Sequence, residues 1–142
     1  RDGPAGPLAD HLLLMMEGEM AEAARALSPA CGLHLPGGLL AHGRRAALGF
    51  WADLRATLPG AVFRIDHALG LPPGDGRPGR AAVRWSLYGR HEGDGRFGPP
   101  SGRYLNVLGM THAEFGPEGI HRLWTLIDDP AICLQAVAQR GG

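Results

Sequence analysis

Lysine is missing from this chain. All 14 of the basic residues among its 142 are arginine. With no primary amine on a side chain, Schiff-base chemistry of the aldolase or pyridoxal kind is excluded, as is a phosphate-binding loop built on lysine. Long apolar runs are missing too. The longest, Leu12 to Met16, has five residues, far short of the ~20 that a membrane-spanning helix needs. No secretory leader is visible. The chain opens on Arg1 rather than Met, so further sequence is expected upstream. Serine is scarce: Ser28, Ser86 and Ser101 are the only three, and none sits in a Gly-x-Ser-x-Gly turn.

There is no excess of charge either. Fourteen acidic residues balance the arginines, and the isoelectric point is about 7.2. Nonspecific nucleic-acid binding needs a basic surface, so no nucleic-acid partner is expected. The two cysteines, Cys31 and Cys133, form no Cys-x-x-Cys pair. They read as reduced, buried side chains of a cytoplasmic protein. The seven histidines lack the His-x-His or His-x-x-x-His spacing of a metal site. Neither metal nor cofactor is expected.

What is present suits one domain. At 142 residues and 44% hydrophobic, the chain can bury roughly two thirds of its unfolded surface and fold without disulfide or metal. Abundant Ala, Gly, Pro and Arg point to a GC-rich, bacterial genome. Residues 1–7, with two Gly-Pro-type breaks, read as a flexible lead-in to a domain over 8–140. Leu8, Leu12, Met15 and Met16 share a helical face, and Met20, Ala23, Ala24 and Leu27 continue a helical stripe until Ser28-Pro29. Residues 29–43 read as loop. The clearest helix runs from about Arg44 to Leu58, with Ala47, Phe50, Trp51, Leu54 and Leu58 on its apolar stripe and Pro59-Gly60 ending it.

The period then changes to two. Val62 to Leu69 sets Phe63, Ile65 and Leu69 against Arg64 and Asp66. Ala82 to His91 sets Val83, Trp85 and Leu87 against Arg84, Ser86 and Arg90. A strand from Arg103 to Phe115, a turn at Gly116-Pro117-Glu118-Gly119 and a strand from Ile120 to Asp128 follow. Asp129-Pro130 then opens a short final helix carrying Ile132, Leu134 and Val137. Helices first and strands later indicate α+β. The last two strands are apolar on both sides, Leu105 and Val107 against Leu108 and Met110, and Ile120, Trp124 and Leu126 against Leu123 and Ile127. A sheet wet on one side would not be. One face is expected to enclose a pocket against the helices, the other to meet a second copy, with Trp124 and Arg122 as its contacts. Gly109 suits a bulge that would curl the sheet.

Two Gly-x-Gly-x-x-Gly matches, at Gly74-Gly76-Gly79 and Gly93-Gly95-Gly98, open no helix. The first leads into a strand and the second into Pro99-Pro100, so neither can present a helix N-terminus to a pyrophosphate. The segment from Ala82 to Gly93, with Gly89-Arg90-His91-Glu92-Gly93 at its end, resembles a SnoaL-like strand and its Gly-x-His-x-Gly hairpin. Phe97-Gly98-Pro99-Pro100-Ser101-Gly102 resembles the family's next loop. Phe115 to Ile120, then Trp124 and Asp128, is similar to its last hairpin, and Gly43 to Pro59 to the helix before the sheet. In order and spacing the chain resembles the SnoaL-like polyketide cyclases of the NTF2-like superfamily from about Leu8 to Val137.

That resemblance implies a cone-shaped α+β barrel, a curved antiparallel sheet wrapped around three helices, dimeric through its outer face. It also implies a pocket for a small hydrophobic, even polycyclic, ligand, and in the cyclases aldol closure without metal or cofactor. Some similar proteins carry two such domains in tandem. The cyclases place an acid/base aspartate just after the tryptophan of the last strand, often with histidine just before it. Those positions are Thr125 and Leu123 here, and threonine cannot take a proton at neutral pH. A catalytic version therefore needs a substitute: His112 first, then His121 or Glu114. Met15, Met16, Trp51, Trp85, Leu123 and Thr125 are the candidate pocket residues. A cofactor-independent lyase, isomerase or cyclase is one expectation. The other is a noncatalytic binding or dimerisation module that has lost the family's aspartate.

Overall fold

The computed structural model describes residues 3–128 together with Ile132 and Gln135. Three helices, α1 (Ala5–Met16), α2 (Met20–Ala24) and α3 (Arg44–Thr57), cover one side of a six-stranded sheet. The strands are β1 (Leu27–Leu35), β2 (Leu39–His42), β3 (Val62–Leu71), β4 (Arg80–Arg90), β5 (Tyr104–Gly116) and β6 (Gly119–Ile127), in spatial order β2-β1-β6-β5-β4-β3. All neighbours are antiparallel except β1 and β6, which run parallel. The α+β class and the curved sheet over helices are as expected; the one parallel pair makes the sheet mixed. No helix among the described residues is long and apolar enough to cross a membrane.

Helix α1 starts at Ala5, inside the segment read as a lead-in, with Gly6 and Pro7 in its first turn. Proline is tolerated there because first-turn amides have no helical acceptor. Helix α2 stops at Ala24, so Leu27, read as helical, is the first residue of β1. The larger correction is residues 29–43, read as loop. They hold most of β1, the tight link Pro36-Gly37-Gly38, and β2. Gly37 and Gly38 have φ of 84° and 75°, a left-handed conformation that glycine supplies without strain and that lets the chain reverse within this three-residue link. Gly32, Leu33 and His34 pair with both β2 and β6, and along the strand Cys31 and Leu33 are buried in the core. Proline and glycine hid that alternation.

Two bulges reset which side chains face inward. One lies in β3 between Ile65 and His67. It flips the parity, so Leu69, grouped with Phe63 and Ile65 from sequence, is 57% exposed while Ala68 packs on the core. The other lies where β5 meets β6, between Glu114 and Phe115. It puts Ile120 on the same side as Leu123 and opposite Trp124 and Leu126, not with them. Gly109, by contrast, is no bulge. The β4–β5 register runs unbroken through Trp85↔Gly109. A Cβ at Gly109 would collide with the Trp85 indole. The glycine exists to let a tryptophan lie flat across its strand.

The inner layer is Val83, Trp85 and Leu87 of β4, Leu105 and Val107 of β5, and Ile120 and Leu123 of β6, against Leu8, Leu12 and Met15 of α1 and Trp51 and Leu54 of α3. Each large side chain withdrawn from water contributes about 1.5–3 kcal/mol. The connection after β4 folds back on α3. Glu92 and Gly93 donate their amides to Thr57 O, at 3.2 and 3.1 Å, and Gly93 leaves room for the Ala56 carbonyl. Both glycine-rich matches fall in strand-to-strand connections, one between β3 and β4, the other between β4 and β5. The final helix read from Asp129, and Cys133 with it, lie outside the described residues apart from Ile132, which is buried, and Gln135.

Candidate functional site

A buried polar chain runs across the helix-covered side of the sheet. Thr111 of β5 and Thr125 of β6 are paired residues, and their Oγ1 atoms are 3.2 Å apart. Trp85 of β4 donates its indole Nε1–H to Thr111 Oγ1 at 3.0 Å. The register explains this reach: Trp85 stands opposite Gly109, one inward step from Thr111, and its ring crosses the space the glycine leaves. The three groups carry three protons, and the two hydrogen bonds use two of them. One hydroxyl proton remains to be donated. The chain is neutral, and the spare proton sits on Thr125 or on Thr111, since either hydroxyl can donate the bond between them.

Around it stand most of the residues expected to wall a pocket. Met15, Trp51, Trp85, Leu123 and Thr125 are all buried on this side. The Trp51 and Trp85 rings meet edge to face at 5.6 Å, and Phe63 lies 5.6 Å from Trp85. Met16 is turned away, into a groove between α1 and α3 beside Arg55 and Leu58. Among the described residues no aspartate or glutamate is buried.

The structure does not gather His112, His121 and Glu114 on this side. Because alternation continues through Gly109, His112 falls on the outer face, opposite the core. Its ring stacks on Trp124 at 5.0 Å, and His34 stacks on the other side of the same indole at 5.2 Å. Arg122 lies 5.7 Å from the Trp124 ring centre. His112, the first choice for a catalytic substitute, therefore stands on the face away from the helices. His121 and Glu114 face each other instead, with Nε2 and Oε2 3.2 Å apart in a surface pair beside the β5–β6 turn.

Two buried histidines passed unnoticed or underweighted in the sequence. His11 stands three residues after Leu8 and four before Met15, on the buried face of α1, so helical spacing alone could have flagged it. Burial pushes its pKa below the usual histidine value, against the opposing effect of its hydrogen bond to Ala23. His91, in the Gly-x-His-x-Gly hairpin, accepts the Ser101 backbone amide at Nδ1 (3.3 Å), with Ser101 Oγ at 3.0 Å. That ties down the connection between β4 and β5. Burial also pushes the Cys31 thiol up to about 11, which leaves it protonated and unreactive at neutral pH.

The helix-covered, cone-like sheet with a polar chain at its centre defines an α+β domain of the NTF2-like class. Among solved structures the chain is similar to IdmH of Streptomyces antibioticus, a proposed polyketide cyclase. Identity is 22% over 96% of this chain and 99% of that one, with a TM-score of 0.73. It is also similar to a SnoaL-like protein of Jannaschia sp. CCS1 (20% identity, 99% and 95% covered, TM-score 0.69). A third similar structure is AclR of Streptomyces galilaeus, a proposed hydroxylase (13% identity, 96% and 83% covered, TM-score 0.70). Among curated proteins none matches the sequence. The family model of the SnoaL-like polyketide cyclases matches residues 11–136, and the chain belongs to that family.

Proposed function

We propose that this chain binds a small, flat, apolar molecule on the helix-covered side of its sheet and holds a carbonyl of that molecule with neutral donors. The observation that carries this is the Trp85–Thr111–Thr125 chain. It stands where the family resemblance places an acid/base aspartate, and it offers a hydroxyl proton rather than a carboxylate. A hydroxyl there polarises a carbonyl or steadies an enolate, but it removes no proton. Trp51 and Trp85 supply flat apolar walls, and Met15 an adaptable one.

A flat ketone such as 9-fluorenone is the natural probe, read by quenching of tryptophan fluorescence. Replacing Thr111 and Thr125 together with valine keeps their shape and removes both hydroxyls. Affinity should fall about 5- to 10-fold, the value of one hydrogen bond of about 1 kcal/mol. Unchanged affinity in the double variant counts against the reading. A second reading is an association module without ligand chemistry. It is favoured by the outer face, where Leu108, Met110 and Leu126 lie exposed around Trp124 and His112. On that reading the partner is a second copy of this chain. A wild type that binds no fluorenone yet self-associates would support it over the first.

A further inference from the structure

His11 is the buried titratable group that the reading above leaves unused. It sits on α1, one of the helices covering the proposed ligand side, and is 1% exposed. Its Nδ1 lies 2.8 Å from the Ala23 carbonyl oxygen on α2. A carbonyl oxygen only accepts, so Nδ1 carries the proton and donates it. That fixes the tautomer and leaves Nε2 as a bare lone pair. Nε2 is itself fully buried and has no partner among the described residues. Buried acceptors in native folds are almost always met, so one left open calls for a partner that the described residues do not supply.

His91 makes the contrast. Its Nδ1 accepts a backbone amide, so its proton is on Nε2; that atom is likewise buried without a partner among the described residues, but what it leaves open is a donor. The two buried histidines have opposite tautomers, and only His11 ends in an acceptor. Its neighbours on the buried face of α1 are Leu8, Leu12 and Met15, which offer nothing to donate.

We infer that His11 Nε2 is a second ligand-binding group of the proposed site, and that it accepts a hydrogen bond from a phenolic or enolic hydroxyl on the bound molecule. The inference rests on the reading of the helix-covered side as a ligand site. The ligand it selects is neutral. Among the described residues no arginine is buried, so a carboxylate or phosphate would find no counter-charge there. Burial keeps the imidazole unprotonated, which leaves the lone pair ready at neutral pH.

Two probes separate the roles. 2-Naphthol can donate to Nε2; 9-fluorenone cannot. His11→Asn keeps an N–H for Ala23 O, in the position of Nδ1, and removes Nε2. The variant should bind 2-naphthol about 10-fold more weakly and fluorenone within 2-fold of wild type. In wild-type protein labelled with nitrogen-15 in histidine, the Nε2 resonance of His11 should move toward the protonated range when 2-naphthol is added. The second measurement needs no mutant, so it stands even where His11→Asn fails to fold. Equal loss of both probes would mean that His11 only packs the core and would overturn the inference. So would unchanged naphthol affinity with an unmoved Nε2 resonance. Failure of the wild type to bind either probe would overturn the ligand site itself, and this inference with it.

Discussion

The two faces of one sheet both carry large apolar side chains and use them differently. On β6, Leu123 is 4% exposed and Leu126, three residues on, is 66% exposed. The inner face adds to its hydrocarbon a short chain of neutral polar groups, each hydrogen-bonded. The outer face adds aromatic rings in stacks: His34, Trp124 and His112 in one row across β1, β6 and β5, and Tyr88 on Tyr104 at 5.5 Å nearer the other end. Inside, polar groups are few because each must be satisfied. Outside, water satisfies them, and what needs explaining is the leucine. The inner face specifies the fold and, on our reading, the ligand. The outer face contributes little to the fold, which is why self-association is the proposal for it.

Substitutions that put one chemistry on both faces break this comparison most sharply. Leu123→Glu places a carboxylate among Leu33, Ala113 and the rest of the core, with no arginine buried among the described residues to meet it. The expected loss exceeds about 4 kcal/mol, and the chain should be unfolded or insoluble at 25 °C by circular dichroism. A variant that melts with wild-type cooperativity would mean that the inner face yields far more than its packing implies.

Gly109→Ala asks less of the molecule. One methyl group is added, but it is aimed at the Trp85 ring, which is pinned by Trp51, Phe63 and its bond to Thr111. Overpacking of this kind costs about 1–3 kcal/mol. In chemical denaturation the midpoint should fall while the slope stays fixed. Near-UV circular dichroism should also change as the indole is displaced. A stability equal to wild type would return Gly109 to the role of a mere bend, as the sequence suggested.

The same two positions show what was readable in advance. Strands β3 to β6 and helix α3 announce themselves because their periods, 2 and 3.6, run for many residues. The membership of each face did not follow, since a bulge at Asp66 or beside Glu114 flips parity without any residue that marks it. Hence Leu69 and Ile120 were assigned to the wrong partners, and His112 was left between faces until the register through Gly109 decided. β1 and β2 were illegible for another reason: Pro29, Pro36 and the glycines at 32, 37 and 38 have the composition of loop, and only the pairing of β1 with β6 and of β2 with β1 makes them sheet. Of the site, Thr125, Trp51 and Trp85 could be named from the pattern. Thr111 became meaningful only once Trp85 was seen to donate to it, and His11 only once its face of α1 met Ala23.

The smallest effect on the fold, and the most telling for the outer face, belongs to Leu126→Glu. Leu126 pairs with Met110 and borders a shallow apolar depression with Ala82, His112 and Trp124. In a lone chain that side chain already stands in water. Its replacement should change the stability of the monomer by no more than about 0.5 kcal/mol. The outcome differs if a second copy covers the face. By two-fold symmetry the patch then meets the corresponding patch of its partner, so each interface receives two carboxylates. Like charges brought together in an apolar contact cost several kcal/mol. Sedimentation velocity should therefore show a dimer for wild type and a monomer for Leu126→Glu, with the far-ultraviolet spectrum unchanged. A dimer that survives the glutamate would move the interface elsewhere, to the exposed Leu39 and Leu40 of β2 or to the β3 edge. A wild type that stays monomeric at all concentrations would leave the leucines of the outer face without a second copy to cover them.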